Sequence, residues 1–139
     1  MNYLGIDYGR KRIGLSVGDD ELRLAVGLGA ILVKDWREVM KEIVKIVESR
    51  KIDKIIVGYP INLNGHIGKA AEEVDRFIKD LNEVVGVKIE RMDERLTSEG
   101  VGDMRKRSPK KRRKLRKKGE VDKVAAVLIL QDYFDREEA

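Results

Sequence analysis

Asn2-Tyr3-Leu4-Gly5-Ile6-Asp7-Tyr8-Gly9-Arg10-Lys11-Arg12-Ile13-Gly14-Leu15-Ser16-Val17-Gly18 opens the chain as two β-propensity runs around a short polar break. Residues 2–8 and 12–18 read as strands, and Gly9-Arg10-Lys11 is a hairpin-length link, so the two should pair antiparallel. Leu24 to Val33 is a third apolar run with Gly27 and Gly29 inside it, which predicts a strand with a bulge. Asp7 closes the first run and has no packing duty there. Gly9 lets the chain turn away and leave the carboxylate at a strand end, a rigid position suited to holding a metal ion or orienting a phosphate. An Asp placed before Gly9 only to make the turn is the competing reading.

Beyond the three strands the period changes. After Asp35 as N-cap, Trp36, Val39, Met40, Ile43, Val44 and Val47 fall at helical spacing to about residue 50. Ile52 to Val57 is a β-branched run of the kind buried on both faces, ended by Gly58-Tyr59-Pro60. Asn62-Leu63-Asn64-Gly65 reads as a loop. A second helix follows from about Ile67 to Asn82, with Ala70, Ala71, Val74, Phe77, Ile78 and Leu81 as its apolar face. Gly86 breaks it, and Val87 to Met92 alternates as a strand. Thr97 to about Met104 predicts a short helix. The last helix follows Gly119, with Val121, Val124, Ala125, Leu128, Ile129 and Tyr133 expected as its buried stripe. The order β-β-β-α-β-α-β-α-α implies an α/β fold: a mixed five-stranded sheet, its first three strands antiparallel and the later ones parallel, with helices on both faces.

Composition narrows the function. At 139 residues the chain is expected to form a single domain, 1–139. It has no cysteine and one histidine, His66, which excludes disulfides, thiol catalysis and a typical Cys/His zinc site. Any metal would be held by carboxylates, which points to Mg²⁺ or Mn²⁺. No apolar run approaches the roughly 18 residues of a membrane span and no signal peptide opens the chain, so the expected location is cytoplasmic, with no membrane partner.

The net charge of +5 conceals an asymmetry. Residues 105–118 contain Arg105, Lys106, Arg107, Lys110, Lys111, Arg112, Arg113, Lys114, Arg116, Lys117 and Lys118 and no acid. Taking these 11 from the 30 basic residues leaves 19 against 25 acidic ones, a net of −6 for the rest of the chain. A block of one sign at this density calls for a polyanion partner. A solvated face explains it less well, because an apolar helix that must dock follows immediately. The block holds no aromatic residue for base stacking, which favours recognition of shape and charge: structured RNA or branched DNA rather than single strands.

Three acids fall at element ends that this topology could bring together: Asp7 after the first strand, Glu94 after the last, and Asp122 in the first turn of the last helix. In a mostly parallel sheet the functional crevice lies off the carboxyl ends of the strands. Converging carboxylates beside a basic segment suit Mg²⁺ or Mn²⁺ acting on a phosphodiester. Lys11, Arg12 and Arg95 adjoin the acids in sequence and could offset phosphate charge. Each acid also has a simpler reading; Asp122, for example, is favourable near any helix N-terminus.

Four stretches together resemble the YqgF (RuvX) family: Gly5-Ile6-Asp7-Tyr8-Gly9-Arg10-Lys11-Arg12-Ile13-Gly14, Val57-Gly58-Tyr59-Pro60-Ile61-Asn62-Leu63-Asn64-Gly65, Asp93-Glu94-Arg95-Leu96-Thr97 and Val121-Asp122-Lys123-Val124-Ala125-Ala126. Members are described as Holliday-junction resolvases and as nucleases that mature the small-subunit ribosomal RNA precursor. The resemblance spans essentially the whole chain and implies an RNase H-like fold, a cytoplasmic location, and Asp7, Glu94 and Asp122 as catalytic and metal-holding acids. It departs from resolvases of the wider superfamily at the fourth strand, which ends Gly58-Tyr59-Pro60 where they carry an acid. Gly5-Ile6-Asp7-Tyr8-Gly9 also resembles the first phosphate motif of actin-like and sugar-kinase ATPases, which need two such domains to enclose a nucleotide. Three functions therefore stand open: an RNA nuclease, a DNA resolvase that would be a homodimer because it cuts two strands, and a non-catalytic nucleic-acid-binding module. The first and third are compatible with a monomer.

Overall fold

A computed structural model of the chain describes residues 1–60, 68–93 and 120–137, the last of these with side chains from 124 to 136. Five strands, β1 (Asn2–Asp7), β2 (Arg12–Asp19), β3 (Leu24–Leu32), β4 (Lys54–Tyr59) and β5 (Lys88–Asp93), form one sheet in the order β3-β2-β1-β4-β5. β1 pairs antiparallel with β2, β2 antiparallel with β3, and β4 runs parallel to both β1 and β5. The expected bulge is present: the β2–β3 register shifts between Leu15 and Ser16. The helices are α1 (Trp36–Ser49), α2 (Lys69–Val84) and α3 (Glu120–Glu137). The expected loop at 62–65, the expected helix at 97–104 and the basic segment lie outside the described residues.

Side-chain alternation along each strand divides the core in two. On one face Leu4, Ile6, Ile13, Leu15, Ile55 and Val57 meet α1 and α2 through Val39, Ile43, Val47, Val74, Phe77 and Leu81. On the other face Tyr3, Ala25, Ile56 and Met92 meet α3 through Ile129, Leu130, Tyr133 and Phe134. The strongly amphipathic α1 starts at Asp35, whose side chain accepts a hydrogen bond from the Arg37 amide, as its sequence predicts.

Three expectations need correction. The fourth strand is shifted two residues C-terminal of Ile52–Val57. Asp53 is engaged at the start of β1, where Asn2 N donates to Asp53 Oδ2 at 2.7 Å, and the strand continues through Gly58 and Tyr59. Pro60 alone ends it, because it has no amide to donate. In α2, Ala70 is exposed and Ile78 half-buried, so the buried face is Ala71, Val74, Phe77 and Leu81. The stripe expected for α3 is rotated: Val124, Ala125 and Leu128 are half-buried, while Ala126, Ile129, Leu130, Tyr133 and Phe134 are buried. This helix is apolar nearly all round, so its sequence period could not identify the buried side. Among the described residues no helix is long and apolar enough to cross a membrane.

Where α3 crosses β4 and β5, Lys54 Nζ donates to Tyr133 Oη at 2.8 Å and lies 2.7 Å from Glu90 Oε2. Burial pushes the Glu90 carboxyl up, but bonds from Lys54 and Tyr133 outweigh it and hold the carboxyl below its ordinary range. A carboxylate depressed in the folded state stabilises it above the unfolded pKa, and that stabilisation is lost as pH falls through the folded value. Glu90's contribution is therefore complete above about pH 4.5 and disappears below it. Thermal melts of Glu90→Gln should fall less steeply than the parent's on acidification below that pH, with the two converging at the acid end.

Candidate active site

Asp7 stands at the carboxyl end of β1, half-buried. Tyr3 and Gly5 face α3, and alternation puts Asp7 on that same face. Its antiparallel partner on β2 is Gly14, which pairs in turn with Ala30. On the other side Ile6 pairs with Val57, so the next step places Gly58 beside Asp7, and Gly58 pairs with Met92. One row across the α3 face thus reads Ala30, Gly14, Asp7, Gly58, Met92. Asp7 is the only ionisable residue in it, and both neighbours lack a side chain.

The strand end is held from behind. Leu4 and Ile6 are fully buried in the opposite core. Tyr8, the next residue, packs its ring 5.0 Å from Phe77 and 6.4 Å from Trp36, whose indole donates to Asp80 at 2.9 Å. Gly9 then turns the chain: a Cβ there would lie 2.5 Å from the Arg12 carbonyl oxygen, so the tight turn requires glycine.

Of the three basic residues in this turn, Arg10 is committed. Its guanidinium makes bonds of 2.9 and 3.0 Å to the two Glu73 oxygens, fastening the β1–β2 turn to α2. Hydrogen bonding raises the Arg10 pKa and lowers that of Glu73, the signature of a pair ionised together. Lys11 is exposed, and Arg12 is half-buried at the start of β2, in phase with Gly14 and Ser16 on the α3 face.

The last helix approaches this face closely. A Cβ on Gly5 would lie 2.3 Å from Ser16 Oγ, 2.9 Å from Leu130 Cβ and 3.1 Å from the Ala126 carbonyl oxygen. Ser16, fully buried, donates to that carbonyl at 2.7 Å. Farther down, Phe134 packs on Gly18, where a Cβ would come within 2.8 Å of the ring. Ala126 therefore lies over Gly5 and Phe134 over the level of Tyr3, the register partner of Gly18, so α3 runs antiparallel to β1. One turn before Ala126, about 6 Å along the axis, the helix backbone reaches position 122. Two residues beyond Gly5, about 6.6 Å along the strand, β1 reaches Asp7. Followed back from Ala126, the helix therefore heads toward the end of β1 that carries Asp7.

Of the expected site, the structure describes Asp7 at the end of β1 and Arg12 at the start of β2, both on the α3 face of the sheet. Asp93 ends β5 opposite Tyr59, one alternation away from the α3-facing Met92. Glu94, Arg95 and all the basic residues from Arg105 to Lys118 lie outside the described residues, as does the side chain of Asp122. Among the described residues no three acids or histidines form a cluster able to hold a metal. Sequence reading missed Gly5 and Ser16 as docking residues, and missed the engagement of Arg10. A glycine and a serine inside otherwise apolar strands were the available signals.

A family model described as "RuvX: Holliday junction resolvase" matches residues 1–136. A protein of Syntrophus aciditrophicus named "Putative pre-16S rRNA nuclease" is 39% identical over 138 residues, covering 97% of this chain and 89% of its own. One of the same name from Natranaerobius thermophilus is 36% identical over 137 residues, covering 99% and 96%. Among solved structures, Thermus thermophilus RuvC in complex with a Holliday junction substrate superposes with a TM-score of 0.62 at 14% identity, covering 100% of this chain and 97% of that one. The Fowlpox virus resolvase bound to Holliday junction DNA gives 0.55 at 12% identity, with 100% of each chain covered. At these identities the structural likeness establishes the fold, an RNase H-like one.

The Gly5 contact yields a direct test. Gly5→Ala should destabilise the protein by about 1–3 kcal/mol, the range for an added methyl in a packed core. Urea unfolding followed by circular dichroism measures it.

Proposed function

The chain belongs to the RuvX family, and from that premise we propose that it is a metal-dependent nuclease of the cytoplasm that processes the 5′ end of the 16S ribosomal RNA precursor. The observation that carries the reading is Asp7 at the carboxyl end of β1, on the face of the sheet that α3 covers, with glycines flanking it. The relatives named for the ribosomal RNA precursor, matched over nearly their full length, support the substrate.

Asp7, Glu94 and Asp122 are the residues proposed to hold Mg²⁺ or Mn²⁺. The donor set fits such an ion: carboxylate oxygens suit hard cations, and the chain has no thiol to draw a softer metal. Met92, two residues before Glu94, faces α3, the side on which Asp7 stands. Gly14 and Gly58 add no side chain to the row on which these acids would converge. The ion, when bound, would acidify a water and stabilise the leaving oxygen of a phosphodiester. The protein's own part is to fix the carboxylates and to neutralise the phosphate. Arg12 lies on the correct face for that, Lys11 stands exposed beside it, and Arg95 is assigned the same role. With Arg10 bound to Glu73, the turn keeps Lys11 and Arg12 as its available cations. The segment 105–118, within a single nuclease domain of 1–139, is proposed to track the nucleic-acid backbone.

A second reading, cleavage of a four-way DNA junction, is favoured by the family's description and by the fold shared with the junction-bound resolvases. It calls for a homodimer, because two strands are cut. Incubating pure protein and Mn²⁺ or Mg²⁺ with both a 16S precursor and a four-way junction separates the two. Cleavage of neither would leave a binding module.

Asp7→Asn should reduce cleavage to background while the melting temperature and nucleic-acid affinity stay near the parent's, since Asn keeps the shape and loses the charge that holds the ion. A cleavage rate within a few-fold of the parent's would reject Asp7 as the central ligand. Replacing Lys110, Lys111, Arg112 and Arg113 with Gln should weaken binding to all sequences alike. It should also reduce the slope of log affinity against log salt by up to about 4, as read by fluorescence anisotropy across a salt series.

A further inference from the structure

We propose that the β3–α1 junction is a second phosphate-binding surface: Lys34 and Arg37, beside Lys11 and Arg12, hold the nucleic-acid backbone on the β3 side of Asp7. What this surface serves rests on the nuclease reading; whether it binds does not. The sheet gathers these residues at one end. Gly14 is the register partner of Asp7, and Arg12 lies two residues past it on β2, opposite Leu32 of β3. Val33 then donates its amide to the Lys11 carbonyl at 2.8 Å, so Lys34 follows directly beside the β1–β2 turn. Arg37 stands in the first turn of α1, three residues on. From β1 across β2 to β3 is two strand spacings, about 10 Å. That span matches about three nucleotide steps of a duplex, at ~3.4 Å of rise each.

Lys11, Lys34 and Arg37 are exposed and Arg12 is half-buried. Among the described residues no acid pairs with any of the four side chains. Acids are not lacking here, but each has another partner. Glu73 holds Arg10, Asp35 accepts from the Arg37 backbone amide, Glu38 lies 3.7 Å from Lys41, and Asp80 accepts from the Trp36 indole. Glu73 and Glu38 are thus neutralised by other cations, which sets the four against the one charge of Asp35. Outside residues 105–118 the chain carries a net −6, so a polyanion needs a local positive path to reach Asp7. The frame beneath this path is rigid. The Trp36 ring packs 6.4 Å from Tyr8 and 5.9 Å from Phe77, fastening the start of α1 to the strand end that carries Asp7. Cations on such a frame lose only side-chain freedom on meeting a phosphate, and Arg37 can present its guanidinium fork to two phosphate oxygens.

The test combines Lys34→Gln with Arg37→Gln. Arg50→Gln with Lys51→Gln is the control, because it removes the same charge at the far end of α1, about 20 Å along the helix axis. Binding to a fluorescein-labelled RNA hairpin with single-stranded flanks is followed by anisotropy across a salt series. The junction variant should bind at least about threefold more weakly and lower the slope of log affinity against log salt by up to about 2. The control should stay near the parent. Equal losses in both variants would reduce the effect to net charge and overturn the proposal. An unchanged junction variant of a parent that cleaves would also overturn it, leaving the nuclease reading in place. A weakened junction variant of a parent that cleaves neither a 16S precursor nor a four-way junction would uphold the surface and remove the nuclease reading. Because the chain has no native cysteine, a photoreactive label can be placed at one position. From Lys34→Cys it should cross-link to the RNA, and from Arg50→Cys it should not; equal linking from both would count against the surface.

Discussion

The distance between α3 and the sheet is decided at Gly5, and the second half of the core follows from it. Any side chain there would meet Ser16, Leu130 and the backbone of Ala126. With none, the helix settles onto β1 and β2, Tyr3 and Phe134 meet edge to face at 5.3 Å, and Ile129 and Leu130 lose nearly all contact with water. Gly18 repeats the arrangement two residue pairs down the hairpin, so the helix lies along a track of absent side chains. A glycine in a strand weakens that strand. Here the loss is offset by the apolar surface that a closely docked helix buries.

β1 is consequently a shared wall. Its even-numbered Leu4 and Ile6 belong to the core under α1 and α2, and its odd-numbered Tyr3 and Gly5 belong to the core under α3. Asp7 inherits its direction from this alternation and its rigidity from both sides. The Tyr8–Phe77–Trp36 rings anchor the residue behind it, and the Arg10–Glu73 fork holds the following turn. Such support is what a metal-binding carboxylate requires, because errors of an ångström matter at a coordination site.

The sheet was legible in the sequence because its signals are local. Short links force antiparallel neighbours, β-branched runs mark buried strands, and the amphipathic α1 and α2 declare their inner faces within a residue or two. The end of β4 was misplaced because Gly58-Tyr59 has the composition of a turn, while Tyr59, its ring buried and its hydroxyl bonded to Asp75 at 2.9 Å, is still in the strand. The inner face of α3 was illegible for a different reason. Val124, Ala125 and Leu128 are as apolar as the residues beneath, and the side that docks is selected by distant residues: the glycines, Ser16, and the backbone of Arg23 and Ala25 that Gln131 engages. Asp7 stood out as a carboxylate ending an apolar strand. No local pattern could say that the last helix covers the face bearing Asp7, since that follows from contacts such as the one between residues 16 and 126.

The candidate centre draws on the two ends of the chain, with 115 residues separating Asp7 from Asp122. β1 to β5 can pair before α3 docks, and until it does the face of the sheet bearing Tyr3, Ile56 and Met92 lies open to water. Contacts this far apart in sequence must wait for a long loop to close, so the completion of this half of the core is a slow, non-local step of folding.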